Sequence, residues 1–201
     1  MTTIEIQGNK RTETGKRGSR IDRNSGLIPA VLYGGKDVVH FSVKPSDVKH
    51  LIYTPDFKLA ELNVDGNKSR AILKSIQFHP ITDEVIHIDF LRLIDKTPVK
   101  VEVPLRFKGV SPGVKVGGKL IQQVRKIKIK TTPEYIVDEL KADISKLDLG
   151  QSLRVRDIIT PNGIEIINNP ATPVALIEIP RALKAAAAAE AKAEKGAKKK
   201  K

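Results

Sequence analysis

Cysteine and tryptophan are absent from this chain of 201 residues, methionine occurs once, and aromatic residues make up 4%. Without cysteine the chain can form neither a disulfide framework nor a thiolate metal site. So few aromatic side chains suit it poorly to stacking on single-stranded bases. No stretch approaches the roughly 20 apolar residues of a membrane span, and the polar start, MTTIEIQGNK, lacks the apolar centre of a signal peptide. We therefore predict a soluble, cytoplasmic protein with no metal, no cofactor and no membrane partner.

Recognised catalytic motifs are also missing. The sequence contains no G-x-S-x-G elbow, no H-E-x-x-H and no Walker motif, and GKRGS has its residues in the wrong order for a phosphate-binding loop. The 4 histidines are scattered among predicted strands and form no constellation. The sequence therefore predicts a protein that is not an enzyme and has no small-molecule substrate.

Positive charge is plentiful but unevenly distributed. The formal net charge is +13, with 36 Lys and Arg against 23 Asp and Glu. Residues 1–95 carry 14 basic against 12 acidic residues, residues 96–180 carry 14 against 9, and residues 181–201 carry 8 against 2. A basic excess of this size favours a polyanionic partner such as nucleic acid. Because the tail holds nearly half of it, local clusters are better guides to a specific site.

One such cluster lies just before a predicted core strand. The segment from Arg11 to Gly35 joins a basic, glycine-spaced run to the apolar strand LIPAVLY and a Gly34-Gly35 turn. Ser19 is a candidate N-cap and Gly26 a candidate stop, which predicts a short helical turn with Arg20 and Arg23 on one face. Lys16 and Arg17 are then expected in the lead-in to that turn. Alone, such a run is more typical of a solvated basic loop.

Further strands are predicted from alternating apolar residues. They are residues 3–7, 38–43, 59–64, 69–78 and 85–93, with a helix after Pro45 that is capped by Ser46 or Asp47, and a hairpin turn at Asp65-Gly66. In strand 69–78, Ile72, Ile76 and Phe78 are predicted to share the core face. If strands 69–78 and 85–93 pair, Gln77, His87 and Asp89 lie together on the opposite face. Their amide, imidazole and carboxylate groups could read base edges.

Two stretches, GKRGSRIDRNSGLIPAVLYGGK and SIQFHPITDEVIHIDFLRL, resemble the 5S-rRNA-binding protein family of the bacterial large ribosomal subunit. This is the family of the twenty-fifth large-subunit protein, whose two-domain long form is also called general stress protein CTC. The most specific matches are G-K-x-x-S-R, P-A-V-x-Y-G-G and Q-x-H-P…H-I-D-F. The resemblance covers about the first 180 residues and implies a mainly β fold with a few short helices: a six-stranded β-barrel over 1–95 and a β-rich domain over 96–180. The composition of residues 181–201 predicts a basic Ala/Lys tail after them.

The resemblance also implies a partner and a set of RNA-binding residues. The barrel is expected to bind an internal loop of 5S rRNA that is rich in non-canonical pairs. The residues carried over to backbone contact are Arg11, Lys16, Ser19, Arg20 and Arg23, with Arg17 as a possible addition, and those carried over to groove contact are Tyr33, Gln77, His87 and Asp89. One departure is Ile21-Asp22, where the family often has further basic residues.

The second half is expected to be another set of strands. Alternation predicts strands at residues 99–109, 120–130 (with a bulge or bend near Val124), 135–144, 152–158, 164–167 and 174–179, with a wide β-turn region at 109–118. The runs GVKVGG and LRVRD resemble the second domain of the long-form family. Its expected partners are large-subunit proteins or 23S rRNA. The tail is expected to be helical or disordered, and either attracted to rRNA without specificity or dispensable.

The sequence thus leads to one hypothesis and one alternative. The hypothesis is a structural constituent of the large ribosomal subunit that binds 5S rRNA through its first domain. The alternative is a stress-induced RNA-binding or chaperone-like protein that acts away from the ribosome. Similar barrels occur in anticodon-reading domains, so the fold alone does not separate the two.

Overall fold

A computed structural model describes residues 2–35 and 37–180 of the chain. The fold is mainly β, as predicted, and contains a closed barrel of six strands together with a sheet of four strands and a sheet of three. Two compact units are present: the first runs through Pro104 and takes in Lys128–Glu139 and Asn162–Ile166, and the rest of the described chain forms the second. The predicted tail, 181–201, lies outside the described residues.

The barrel contains the first six strands. They are β1 (Thr3–Lys10), β2 (Ile28–Tyr33), β3 (Val39–Val43), β4 (Leu59–Val64), β5 (Asn67–Phe78) and β6 (Val85–Arg92), and they follow the order β1-β3-β2-β6-β5-β4 around the barrel. Parallel pairing of β1 with β4 closes the ring, and β2 pairs with β6 in parallel. The predicted β4–β5 hairpin is confirmed, with positive φ angles at Asp65 (47°) and Gly66 (85°).

Alternating side chains of these strands fill the barrel. Phe41 and Phe90 are fully buried at its centre, with ring centroids 5.9 Å apart. Leu62, Ile6 and Ile88 pack around them. Burying large side chains of this kind stabilises the fold by about 1.5–3 kcal/mol for each residue.

The predicted facing of β5 is partly wrong. Lys74 has no partner on β6, because Leu73 lies opposite Phe90 and Ser75 opposite Asp89. This bulge reverses the alternation, so that Ala71 and Leu73 face the barrel core. A second shift between Gln77 and Phe78 leaves Phe78 exposed (44%) rather than buried.

Helix α1 (Lys16–Asn24) begins three residues earlier than the predicted cap, Ser19. Gly15, with a φ of 92°, precedes the helix, and its carbonyl accepts a hydrogen bond from the N–H of Ser19 (3.1 Å). Lys16 and Arg17 therefore belong to the first turn. The predicted stop at Gly26 is confirmed: its φ is 73°, and Leu27 N–H donates to the Asp22 carbonyl (2.9 Å) in a Schellman arrangement.

Helix α2 (Pro45–Ile52) begins at Pro45, so the prediction of Ser46 or Asp47 as its cap is wrong. Proline suits the first helical position because its φ is already helical and its missing N–H is not needed there. The Ser46 hydroxyl instead donates to Asp47 Oδ1 (2.8 Å).

The described part of the second half, through residue 180, contains seven strands, most of them short. They are β7 (Val99–Lys108), β8 (Lys119–Gln122), β9 (Lys126–Thr131), β10 (Leu140–Asp143), β11 (Ser152–Arg154), β12 (Ile164–Ile166) and β13 (Pro173–Glu178). One sheet has the order β10-β7-β9-β12 and the other the order β11-β13-β8. The buried face of β7 is formed by Val99, Val101, Val103 and Leu105, as its alternation predicts.

Three predictions for the second half were too simple. The predicted strand 120–130 is two strands in different sheets, because the chain turns at a corner where the Gln122 amide donates to the carbonyls of Leu105 and Val124 (both 3.2 Å). The glycine-rich region contains a one-turn helix, α3 (Pro112–Lys115). Predicted strands 135–144 and 152–158 shorten to β10 and β11, and 3-10 turns occupy Pro133–Tyr135 and Val155–Asp157.

A glycine within α1 yields the first prediction. A Cβ atom on Gly18 would lie 2.4 Å from the backbone oxygen of Glu13. Gly18→Ala should therefore destabilise the protein by about 1–3 kcal/mol through overpacking. At an unobstructed helix position the same change stabilises by about 0.5–1 kcal/mol. Thermal unfolding measures whether the variant is less or more stable than the wild type, and Arg17→Ala at an exposed neighbouring site is the control. A raised Tm for Gly18→Ala would contradict the close packing.

Candidate RNA interface

The basic residues of α1 gather on one side of the helix. Consecutive helical positions are about 100° apart, so Lys16, Arg20 and Arg23 fall within about 60° of one another. All three are exposed, and Arg17 is exposed beside them. We call Lys16, Arg17, Arg20 and Arg23 the basic face. The prediction that Arg20 and Arg23 share a face is confirmed.

The electrostatics of α1 favour an anion at its start. Its first turn contains Lys16 and Arg17, with no acidic residue and no side-chain cap. Positive side chains there oppose the positive end of the helix dipole, at about 0.3–1 kcal/mol each. A phosphate placed beside this turn would relieve that repulsion and accept hydrogen bonds from free backbone N–H groups.

The helix is tied to the barrel at two places. Near its end, Arg23 Nε donates to the Ile86 carbonyl of β6 (3.2 Å). On the other side, Arg11 Nε lies 2.6 Å from Asp22 Oδ2, and Arg11 Nη2 donates to the Ser19 hydroxyl (3.1 Å). The Arg11 side chain is only 8% exposed. Arg11 and Ser19, both predicted to bind RNA, thus bond to each other within the protein, and their role in RNA binding stays a prediction.

Polar side chains predicted to face away from the core do lie together on β5 and β6. Gln77 is directly opposite His87, and Ser75 is directly opposite Asp89. Side chains opposite each other in an antiparallel pair have Cβ atoms about 4.5–5.5 Å apart. We call Tyr33, Gln77, His87 and Asp89 the strand patch. Arg23 of the basic face donates a hydrogen bond to the carbonyl of Ile86, the residue before His87. This bond places the basic face beside the strand patch.

His87 and Asp89 form a close polar pair on β6. His87 Nδ1 lies 2.9 Å from Asp89 Oδ1. Since a carboxylate can only accept, a hydrogen bond at this contact requires the proton on Nδ1. When the ring is neutral, Nε2 can then accept from a ribose hydroxyl, and Oδ2 of Asp89 can accept from a base amino or imino group.

Tyr33 lies near the His87–Asp89 pair. It is on the outward side of β2, two residues after Val31, which is the register partner of Asp89. Partial burial, and secondly the negative charge of Asp89, raise the pKa of the Tyr33 phenol above its ordinary value of 10.0. The hydroxyl therefore stays protonated and can donate at neutral pH.

Sequence reasoning left His40 and Ser75 out of the site. His40 on β3 is exposed and is the register partner of Val31, so His40, Val31, Asp89 and Ser75 form one row across four neighbouring strands. Alternation alone indicates that each of these residues could face outward. Their alignment depends on the pairing of β2 with β3 and of β2 with β6, which no local pattern reports.

Alternative kinds of site find little support in the described part of the chain. Residues 2–35 and 37–180 contain no group of three or more His, Cys, Asp or Glu that could hold a metal ion. None of the helices found in those residues is long and apolar enough to cross a membrane. His79, before Pro80, has a structural role: its Nδ1 accepts from Thr82 N–H (3.2 Å) in the β5–β6 turn.

Comparisons with known proteins agree over nearly the whole chain. Family models match in two places: "Ribosomal L25p family" over residues 6–90 and "Ribosomal protein TL5, C-terminal domain" over residues 98–181. Large ribosomal subunit protein bL25 of Bacteroides fragilis is 39% identical over 197 residues, which cover 96% of this chain and 100% of the relative. The chain belongs to the bL25 family. The bL25 proteins of Cytophaga hutchinsonii (42% over 192 residues, 96% of this chain and 100% of the relative) and Porphyromonas gingivalis (43% over 189 residues, 93% and 98%) are similarly close.

Membership of the bL25 family confirms several predictions. The resemblance seen in the sequence is correct for both halves of the chain. The family consists of ribosomal proteins rather than enzymes, so the predicted non-catalytic, rRNA-associated role at the cytoplasmic ribosome is confirmed at that level. The roles of the individual residues predicted to bind RNA stay predictions.

The pKa of Tyr33 gives a test of the strand patch. Asp89→Asn removes the nearby negative charge, so the Tyr33 pKa should fall toward 10.0 while partial burial keeps it above that value. Because the folded-state pKa is raised, the stability that this group contributes is present below pH 10 and is lost as pH rises through the folded pKa. Carbon NMR of labelled tyrosine over an alkaline titration measures the shift. Glu5→Gln, on β1 three strands from β6 around the barrel, should leave Tyr33 unchanged, and no difference between the variants would contradict the contact.

Proposed function

We propose that this protein is a structural constituent of the large ribosomal subunit that binds 5S rRNA through residues 1–95. The observation that carries the proposal is the joining of the basic face of α1 to the strand patch by the Arg23–Ile86 hydrogen bond. Family membership supports the ribosomal context. It also weighs against the alternative of a stress-induced or chaperone-like protein that acts away from the ribosome.

The two parts of the interface have different tasks. Lys16, Arg17, Arg20 and Arg23 contact phosphates, which positions the protein but carries no sequence information. Tyr33, Gln77, His87 and Asp89 contact the wide, shallow minor groove, where an RNA helix displays 2′-hydroxyls and base edges. Non-canonical pairs present donors and acceptors that a regular helix lacks there. The strand patch therefore supplies selectivity for an irregular internal loop.

Binding of the full chain to three RNAs tests this function. They are 5S rRNA, 5S rRNA whose non-canonical internal loop is converted to Watson–Crick pairs, and an unrelated hairpin. We expect tight binding to the first alone, and Asp89→Ala should weaken it by about 1–3 kcal/mol, or about 5- to 150-fold. Glu5→Ala, which also removes a carboxylate from the outside of the barrel, is the matched control. Equal, salt-sensitive binding to all three RNAs would reject the proposal.

For residues 96–180 we propose a second contact within the subunit, with 23S rRNA rather than with protein. Strand β9 presents Lys126, Lys128 and Lys130 on its exposed side and buries the residues between them. Lys128 lies 3.6 Å from Glu102 and Lys130 3.5 Å from Glu165. All four side chains are well exposed, and exposed ion pairs contribute only about 0–1 kcal/mol, so RNA phosphates can compete for these lysines.

The lysine row can be tested on large subunits that lack this protein. The triple change Lys126→Gln, Lys128→Gln and Lys130→Gln should lower the salt concentration at which the protein dissociates, and should reduce the salt slope by up to about three. Binding to isolated 5S rRNA should not change. The control removes the same charge at Lys115, Lys119 and Lys146, which are exposed in other parts of the second half. Equal salt sensitivity of the two triple variants would contradict a contact through β9.

A further inference from the structure

We propose that Arg11 acts in RNA binding as a positioning residue: with Ser19 and Asp22 it forms a buried clasp that turns the basic face of α1 outward. This inference rests on the proposed RNA-binding function and assigns a role to Asp22, the acidic residue that departs from the basic pattern common in the family. Arg11 then supports binding without touching a phosphate.

The clasp connects the barrel to the inner side of the helix. Arg11 directly follows β1, and its backbone N–H donates to the His40 carbonyl of β3 (2.9 Å), which fixes its main chain to the barrel. Its guanidinium then reaches two residues on adjacent turns of α1, Asp22 at 2.6 Å and Ser19 at 3.1 Å. A planar guanidinium can hold two such partners at once, whereas an ammonium group cannot hold the same geometry.

Burial argues against direct phosphate contact by Arg11. Its side chain is 8% exposed and that of Asp22 is 20% exposed. A charge enclosed to this extent needs a close partner, and removal of that partner is strongly unfavourable. To reach RNA, the Arg11 guanidinium would have to leave both Asp22 and Ser19.

Helix geometry connects the clasp to the basic face. Asp22 lies about 200° around the helix from Arg20, so holding Asp22 against the barrel points Arg20 away from it. Gly18 lies on the same inner side and permits the close approach of the helix to the backbone of Glu13. Rotation of α1 about its axis is therefore opposed on the inner side by Asp22 and at its end by the Arg23–Ile86 bond.

The clasp and a purely electrostatic role of Asp22 predict opposite effects on RNA binding when the Asp22 charge is removed. A negative charge within a basic RNA-binding helix should weaken binding, so its removal should strengthen binding if its only effect is electrostatic. If Asp22 orients the helix, its removal should weaken binding even though the protein becomes more positive. Glu13→Gln removes an equal charge from the exposed segment just before the helix and shows the purely electrostatic effect.

The experiment is a double-variant cycle on the full chain with 5S rRNA, at a temperature where circular dichroism shows every variant folded. We expect Asp22→Asn and Arg11→Gln each to weaken binding by between about 3- and 100-fold, and the double variant to be no weaker than the worse single variant. Glu13→Gln should bind as well as the wild type or better. If Arg11→Gln weakens binding while Asp22→Asn strengthens it or leaves it unchanged, Arg11 contacts RNA directly and the proposal is overturned.

A spectroscopic measurement on the free protein separates the clasp from the proposed function. In the wild type the Nε–H resonance of Arg11 should exchange slowly with water, and Asp22→Asn should accelerate this exchange together with that of the α1 amides. Should Arg11→Gln fail to fold, Arg11→Lys replaces it, since it keeps the charge but cannot hold both partners. Failure of the wild type to prefer 5S rRNA would reject the proposed function alone, whereas fast exchange of the Arg11 Nε–H in the wild type would reject the clasp.

Discussion

Closure of the six-stranded barrel is the constraint on which the candidate interface depends. Parallel pairing of β1 with β4 completes the ring, and the pairings among β2, β5 and β6 then leave no freedom in register. A shift of one residue in any of these pairs would exchange the core and solvent faces of a strand. Phe90 and Ile88, both fully buried, prevent such a shift in β6, and they thereby hold His87 and Asp89 on the outside.

The candidate interface combines a rigid surface with a helix whose first turn carries positive charge and no acidic residue. The strand patch is held by barrel hydrogen bonds and by the His87–Asp89 pair (2.9 Å), so its donors and acceptors are already oriented in the free protein. Preorganised groups lose little entropy on binding. Lys16 and Arg17 of the basic face, in contrast, sit in a first helical turn whose dipole disfavours them. In the proposed interface, rigidity would serve selectivity, and the unfavourable charge density at Lys16 and Arg17 would serve affinity.

A comparison of prediction with structure shows where local patterns suffice. The hairpin at Asp65-Gly66, the stop at Gly26 and the alternation of β7 were correctly predicted because each depends on the conformational preferences of a few consecutive residues. The start of α1 and the facing of β5 were predicted incorrectly. The hydroxyl of Ser19 bonds to Arg11, eight positions earlier in the chain, and the bulge at Lys74 appears only when β5 is paired with β6. Both errors arise from partners that are distant in sequence.

The sequence by itself determined the fold class, the family and the residue types available for RNA contact, since these follow from strand periodicity, turn chemistry and the runs around Lys16, Tyr33 and His87. Only the tertiary structure decided which of those residues can act together. It placed Gln77 opposite His87, joined Arg23 to Ile86 and enclosed Arg11 beside Asp22. Strand register and side-chain burial are set by the packing of the whole barrel, and no single segment contains that information.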